Sequence, residues 1–334
     1  MKWPGTFHWT PQLVRCNLCG EHDAATLFMQ DQHGFGLRTV MCRRCGLIYL
    51  NPRPTAQDYD EFYRDWYHRL YPARAAFNAG HLGSQIAAET ARLRCQAYAS
   101  FLGEQAKLLE IGPGDGAFLS AVQSMFPRSQ VRGVDLSPAE VGACQRKGLD
   151  VVHGTVGDLP ANYGGNTHAA MFHVLEHALD PLTMLRQVAE RLNPGGYLLL
   201  EVPNALGSWE GLGMLHVAHP YLFAPATLGR LLQIAGLQMV QLEALEGPFF
   251  QSSLRAVAKR CSDPDCFPLP VMPSVEKVST LFTQKLGGWH RELISSRIKR
   301  HGLQWLGPRW TATLWEQTAG REWAQWLHHS DNKN

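Results

Sequence analysis

Residues Leu108-Leu109-Glu110-Ile111-Gly112-Pro113-Gly114-Asp115-Gly116 constrain the fold of this chain more than any other stretch. An apolar run stops at a carboxylate, and glycines then alternate with other residues. A buried strand that ends at an acid and turns at once into a helix needs a backbone able to bend sharply. Glycine accepts positive φ, and without a Cβ it lets a ligand lie almost against the main chain. About twenty residues further on, Val131-Arg132-Gly133-Val134-Asp135 ends a second apolar run in an acid. A carboxylate at that point can accept both hydroxyls of a nucleotide ribose. A glycine loop alone is a weak signal. Loop, spaced acid and alternating strand–helix rhythm together predict an open α/β sheet that binds a nucleoside. The spacing is G-x-G-x-G, whereas a pyrophosphate seated on a helix N-terminus calls for G-x-G-x-x-G, so a dinucleotide is the inferior reading.

These residues resemble the class I S-adenosylmethionine-dependent methyltransferases. Glu110 to Gly116 is similar to their E/D-x-G-x-G-x-G loop, and Asp135 to the acid after their second strand. The resemblance continues through His153-Gly154-Thr155-Val156-Gly157-Asp158-Leu159-Pro160 and Phe172-His173-Val174-Leu175-Glu176-His177. It closes at Leu192 to Asn204, so five motifs stand in order over residues 105–260. It implies a Rossmann-like, doubly wound seven-stranded sheet whose last strand is antiparallel. It also implies that S-adenosylmethionine is contacted by Glu110, Gly112, Gly114, Gly116, Asp135, Leu136, Thr155, Val156, Asp158 and His173. Two positions depart from the family. Thr155 replaces the first acid of G-D-x-x-D-L-P, which hands the adenine contact to Thr155 and the Val156 backbone ahead of Asp158. His168 stands where an aspartate usually precedes strand four.

Local signals place the elements. Residues 74–102 have helical spacing. Ser137-Pro138-Ala139-Glu140 carries a serine cap, a first-position proline and an acid in the first turn, which starts a helix. Val151-Val152-His153, Ala169–Phe172 and Tyr197–Val202 read as strands three to five, with Asn193-Pro194-Gly195-Gly196 a helix stop and turn between the last two. Leu228–Ala235 is a helix stopped by Gly236, and Leu237–Leu242 with Ser252–Ala258 makes the closing antiparallel pair. The long connection Pro203–Ala226 is expected to form a lid or substrate wall.

Four cysteines form two knuckles, Cys16-Asn17-Leu18-Cys19-Gly20 and Cys42-Arg43-Arg44-Cys45-Gly46, separated by 22 residues. Each turn can bring two thiolates to one ion, and two turns complete a closed tetrahedral set, the pattern of structural Zn²⁺. A redox C-x-x-C normally stands alone, and four buried thiols need no such spacing, so zinc is the preferred reading over both. The run Arg44 to Pro54 resembles a zinc-knuckle methyltransferase group of sugar, polysaccharide and secondary-metabolite pathways. Phe62-Tyr63-Arg64-Asp65-Trp66-Tyr67 follows; it either covers the active-site mouth or packs the knuckle module onto the next helix.

His173, Glu176 and His177 are the catalytic candidates, since i, i+3, i+4 spacing would set them on one side of a helical turn after strand four. Imidazole can act as a general base near neutrality. The run also resembles the cation-binding E-x-x-E-H of ubiquinone-biosynthesis O-methyltransferases, with His173 in place of the first glutamate, which exchanges an oxygen ligand for nitrogen. The bland alternative is a turn that only supports the cofactor. His219, in His219-Pro220-Tyr221-Leu222-Phe223, is the second-choice base.

Residues 1–72 are thus read as a zinc-binding module with an aromatic lid or linker, 73–260 as the methyltransferase domain, and 261–334 as a linker and helical tail. A formal charge of +2 and a module with nearly balanced acids and bases argue against nucleic acid as the partner. No apolar run is long enough to span a bilayer, and the start lacks a signal-peptide segment, so a reducing cytoplasm is expected. The tail carries an apolar stripe from Val275 to Ile298 and then Trp305, Trp310, Trp315, Trp323 and Trp326 among basic residues. Helices packed on the catalytic domain or on a second copy explain it, as does a helix lying on a membrane surface. The expected reaction moves a methyl group from S-adenosylmethionine to an oxygen or carbon of a small molecule, a sugar or natural-product intermediate. An RNA methyltransferase and a non-catalytic S-adenosylmethionine-binding subunit are the rivals.

Overall fold

Leu108 and Leu109 are neighbours in sequence and enter opposite cores, and the same split recurs at Ala169 and Ala170 and at Leu198 and Leu199. Alternation of this kind places a strand in a sheet covered on both faces. The computed structural model describes residues 8–29, 31, 36–67, 81–207, 214–246, 252–261 and 280. Strands β1 (Ala24–Phe28), β2 (Thr39–Cys42) and β3 (Ile48–Leu50) are followed by helix α1 (Ala56–Glu61) and a π-helical turn, Phe62–Trp66. Helix α2 (His81–Ala97) then leads to β4 (Lys107–Ile111), α3 (Ala117–Met125), β5 (Gln130–Asp135), α4 (Pro138–Arg146) and β6 (Asp150–His153). Next come β7 (Asn166–Phe172), a 3₁₀ turn (Leu175–His177), α5 (Pro181–Arg191) and β8 (Leu192–Pro203). β9 (Tyr221–Leu222), α6 (Pro225–Ile234), β10 (Leu237–Leu245) and β11 (Ser253–Arg260) close the described chain.

The main sheet runs β10-β11-β8-β7-β4-β5-β6, with parallel pairs from β8 to β6 and β11 antiparallel to both its neighbours. This is the seven-stranded, doubly wound sheet expected. Tyr98 of the segment after α2, Phe118 and Val122 of α3, and Val141 of α4 fill one face. Leu185 and Val188 of α5 and Leu228, Leu231 and Leu232 of α6 fill the other. The Ser137 hydroxyl caps α4 from the Glu140 amide, with Pro138 at the first position, as the sequence predicts.

One element differs. Asn193–Gly196 lies within the span of β8, where a bulge interrupts the pairing: Asn166 faces Leu192, then His168 faces Tyr197. Gly195, at φ 78, absorbs the extra residues that the expected turn would have used. His168 is a core histidine: its ring bonds the Thr167 hydroxyl and the Phe101 carbonyl, each at 2.8 Å, and burial lowers its pKa.

A second sheet, β1-β2-β3-β9, joins the cysteine region to the catalytic region, because β9 comes from the connection after β8. Ile48 pairs with Leu222 and Tyr49 with Tyr221. Cys16, Leu18, Cys42, Cys45 and Leu47 share one continuous core with α5 and α6. The junction near residue 72 and the tail with its apolar and tryptophan stripes lie outside the described residues. Among the described residues, no helix is long and apolar enough to cross a membrane.

Candidate active site

Three glycines shape the crevice at the carboxyl ends of β4 and β5. Gly112, Gly114 and Gly116 have φ of 69°, 55° and 78°, all in the left-handed region. A Cβ on Gly112 would stand 2.6 Å from Val174 Cγ2, and one on Gly116 2.4 Å from Leu149 Cδ1. The outer two are therefore fixed by packing. A Cβ on Gly114 would meet nothing within 4 Å, which leaves its backbone open to a ligand. Asp135 ends β5 beside this loop, and its carboxylate accepts the Gly114 amide at 3.1 Å and the Ser137 amide at 2.8 Å. Leu136 follows it and is 68% exposed, an apolar side chain beside an acid.

Glu110 is buried under the loop, and its Oε2 has no hydrogen-bond partner. Burial pushes this carboxyl up to about 8, and the nearby Asp115 and Asp135 add to that against Arg94. An orphaned buried acid is costly unless a cation or donor reaches it. The amino group of an S-adenosylmethionine would do so, so the residues present fit that cofactor. At the third strand end, the Thr155 amide and hydroxyl both donate to Asp158 Oδ2, at 2.9 and 2.6 Å, and these bonds lower the Asp158 pKa. Asp158 thus closes the turn that presents Thr155, and Val156 is buried beneath it.

The turn after β7 is not the single helical face expected from spacing. His173 takes φ 56°, a left-handed value rare for a side chain with a Cβ, and only Leu175–His177 is helical, in 3₁₀ form. The strained residue turns the two imidazoles apart. His173 Nδ1 lies 3.4 Å from Glu176 Oε1. His177 instead points to the connection after β8, where its Nδ1 is 2.6 Å from the Ala218 carbonyl. That carbonyl can only accept, so Nδ1 carries the hydrogen and the lone pair resides on Nε2. Tyr63 brings its hydroxyl within 3.2 Å of the same Nδ1 and donates to Ala218 O at 3.4 Å. His219 stands edge-on to His177, ring centroids 4.8 Å apart, and its own Nδ1 faces the Met214 carbonyl at 3.1 Å.

Glu176 is buried, and its Oε2 lacks a partner. Burial opposes its charge, but the His173 hydrogen bond and the neighbouring imidazoles outweigh that and hold the carboxyl below its ordinary value. One ligand atom from each of Glu176, His177 and His219 falls within 4.8 Å of the others. The trio differs from the sequence expectation, for the described cluster includes His219 and leaves out His173.

In the connection after β8, Met214, Leu215, His216, Val217 and Ala218 are all buried. Phe62 is fully buried against Leu37, Leu50, Val217 and Ala218, while Tyr63 is 37% exposed at the mouth. The aromatic segment therefore packs the cysteine region against the connection after β8, with Tyr63 beside His177. The Tyr63 contact and the Ala218 carbonyl were beyond sequence reasoning. The aromatic run marks the segment, but nothing marks a backbone carbonyl 41 residues away.

The four knuckle sulfurs lie within 4.8 Å of one another, with Cys16 Sγ 3.4 Å from Cys45 Sγ and Cys19 Sγ 3.5 Å from Cys42 Sγ. Zn–S bonds of about 2.3 Å in a tetrahedron separate sulfurs by about 3.8 Å, close to this arrangement. Gly20 and Gly46, at φ 74° and 72°, close the two turns. Hydrogen bonding to Cys42 pushes the Cys16 thiol up, and bonding to Cys16 pulls the Cys42 thiol down. Crowded sulfurs that cannot all hold protons are a donor set for a soft divalent cation.

The glycine loop and Asp135 lie at the carboxyl edge of the sheet, where doubly wound α/β folds take their ligands. Residues 57–242 match the methyltransferase-domain family, and the chain belongs to it; its fold is that of the class I S-adenosylmethionine-dependent enzymes. A ubiquinone biosynthesis O-methyltransferase of Xanthomonas axonopodis pv. citri (strain 306) is 29% identical over 159 residues, 42% of this chain and 66% of that protein. Methyltransferase str3 of Strobilurus tenacellus is 30% identical over 111 residues, 33% of this chain and 40% of that protein. The chain thus spans less than two thirds of either relative. Among solved structures, magnesium protoporphyrin IX methyltransferase of Synechocystis PCC 6803, with bound SAH, superposes with a TM-score of 0.46 at 16% identity. That match covers 60% of this chain and 99% of the other.

Proposed function

We propose that this protein transfers a methyl group from S-adenosylmethionine to an oxygen or carbon nucleophile of a small molecule, a sugar or natural-product intermediate. The observation that carries it is the open Gly114 backbone flanked by the Asp135 carboxylate and the orphaned Glu110. The relatives support a methyl acceptor, and the Xanthomonas one bears an O-methyltransferase name. When bound, S-adenosylmethionine supplies a methyl group on a sulfonium, ready for in-line displacement. Asp135 holds the ribose hydroxyls, Leu136 and the Thr155–Val156 turn flank the adenine, and Glu110 faces the ammonium. His177, its hydrogen on Nδ1 directed to Ala218, takes the acceptor hydroxyl proton on Nε2 as the oxygen–methyl bond forms. His173 orients Glu176 on the donor side, and His219 lines the acceptor side. The zinc-knuckle cysteines Cys16, Cys19, Cys42 and Cys45 hold one structural Zn²⁺, with no open position for catalysis. The protein is read as cytoplasmic, with membrane contact or self-association left to the tail.

Titration calorimetry with S-adenosylhomocysteine, followed by methyl-labelled S-adenosylmethionine and panels of sugars, phenols and RNA, tests this reading. Micromolar binding and label in a small molecule support it. Label in RNA transfers it to the zinc-ribbon RNA enzymes, and binding with no label in any panel favours a non-catalytic subunit. No binding at millimolar ligand defeats it. A second reading rests on the Glu176, His177 and His219 cluster: a catalytic divalent cation held by two nitrogens and one oxygen. Activity lost to a chelator and restored by a cation, with the knuckle zinc still present, would select it over the base.

A further inference from the structure

Both halves of the acceptor wall are tied to the cysteine knuckles, and neither tie runs through the catalytic sheet. The first passes through Asn17, which lies between Cys16 and Cys19. Its Nδ2 donates to Asp180 Oδ1 at 2.8 Å, and its Oδ1 accepts the Leu182 amide at 3.0 Å. Asn17 thereby shares with Asp180 the capping of α5, the helix that starts four residues after His177. The second tie passes through β3, which follows the second knuckle directly. Its residues Ile48 and Tyr49 pair with Leu222 and Tyr221, and the Leu50 amide bonds the Pro220 carbonyl at 2.9 Å. Arg53 adds a hydrogen bond of 2.9 Å to the Tyr221 hydroxyl, which donates in turn to the Leu179 carbonyl at 3.3 Å. His177 is thus held from one side by the chain leading to Asp180, and Ala218 and His219 from the other by the chain leading to Tyr221.

The knuckles meet at their sulfurs, in the core they share with α5 and α6, and along the β1–β2 pairing, where Ala24 faces Cys42 and the Arg43 amide donates to the Asp23 carbonyl at 3.1 Å. Cys16 and Cys19 belong to the turn that carries Asn17, and Cys42 and Cys45 to the turn that launches β3. Without an ion, four sulfurs at contact distance repel or compete for protons, and the two turns lose the one anchor that fixes all four sulfurs together. The glycine loop, Asp135 and Glu110 show no such tie among the described residues: outside the strand ladder, their hydrogen-bond partners lie within residues 113–154.

We propose that the four-cysteine site is the positioning device of the acceptor side: with its ion bound, Asn17 and β3 set the His177–Ala218–His219 geometry, while the donor side folds independently of it. Asn17 is the positioning residue of this link. The inference rests on the acceptor-wall reading above, and its test does not need an acceptor. The readout is hydrogen exchange, by mass spectrometry, of the full chain loaded with zinc, of the same protein stripped by a chelator, and of Asn17→Ala.

Stripping should speed exchange about tenfold or more in residues 175–182 and 217–222, and leave residues 107–160 within about twofold of the loaded protein. S-adenosylhomocysteine affinity should stay within about threefold of the loaded value. Asn17→Ala keeps every sulfur, so it should retain one zinc per chain and still loosen residues 178–184. That variant carries the test should the stripped protein aggregate. Unchanged exchange at the acceptor segments after stripping would overturn the proposal. So would uniform acceleration that includes residues 107–160, because the ion would then stabilise the whole fold. Unchanged exchange at residues 178–184 in Asn17→Ala would remove the link through Asn17. A failure of the loaded protein to bind S-adenosylhomocysteine would instead defeat the donor-site reading, and the exchange comparison would still stand or fall by itself.

Discussion

The proposed donor side and the proposed acceptor side of the crevice are built in opposite ways. Glu110, the glycine loop, Asp135 and Leu136 come from 27 consecutive residues, and the strands that carry them pair directly. His177, Tyr63, Ala218 and His219 come from three separated segments that meet through side-chain-to-carbonyl contacts. A side made from one βαβ unit forms with its own sheet and can be shared by enzymes with unrelated acceptors. A wall assembled from distant segments can change without disturbing the cofactor, at the cost of needing anchors. Here the anchors are the π-helical aromatic turn, β9 and the cysteine knuckles.

The sharpest way to separate the two sides is His177→Ala. Turnover should fall by about 10²–10⁴-fold with cofactor affinity near wild type, as measured by single-turnover rate and calorimetry on the same protein. A joint loss of affinity and thermal stability would merge the sides and reduce the turn to a scaffold. Asp135→Ala is the converse: calorimetry should show cofactor binding weaker by about 1.5–3 kcal/mol, with the acceptor wall intact. Unchanged affinity there would displace the ribose from Asp135.

Glu110 gives the donor side a pH signature. Its folded pKa, about 8, lies above the ordinary carboxylate value, so the folded state holds a proton that the unfolded state has released. This group's contribution to stability is therefore full below the unfolded pKa and is lost as pH rises toward about 8, flattening above it. The slope from one such proton is at most about 1.4 kcal/mol per pH unit. Glu110→Gln should abolish that slope in denaturant melts of the cofactor-free protein and weaken cofactor binding. A slope that persists in the variant would assign it to another group. The smallest effect belongs to Tyr63→Phe, which deletes one hydroxyl beside His177. About 0.5–1.5 kcal/mol, a several-fold drop in turnover with unchanged cofactor affinity, is expected from steady-state rates.

The sheet was legible in sequence because its signals are local. Leu108 to Gly116 states a strand, a bend and a helix in nine residues, and Ser137-Pro138 states the next helix start. Where two local signals competed, the sequence misled. Asn193-Pro194-Gly195-Gly196 reads as a turn, yet pairing with β7 and β11 extends the strand to either side and leaves the glycine a bulge. The i, i+3, i+4 spacing of His173, Glu176 and His177 assumed a helical backbone. The left-handed φ of His173 breaks that assumption, and Val174, packed onto the space where Gly112 lacks a Cβ, shows why the chain must turn there.

The sequence by itself determined the glycine-loop edge of the sheet, since strand, glycine loop and acid follow one another and their periodicity and φ demands can be read in order. It also determined the four-sulfur set, because C-x-x-C turns fix pairs of ligands locally. Only the tertiary structure decided which nitrogen of His177 bears its hydrogen, that His219 joins His177 beside Glu176, and that β3 pairs with β9. Those outcomes depend on a carbonyl at Ala218, a strand edge at Tyr221 and an amide at Leu182, backbone groups that every residue type carries and no sequence pattern distinguishes.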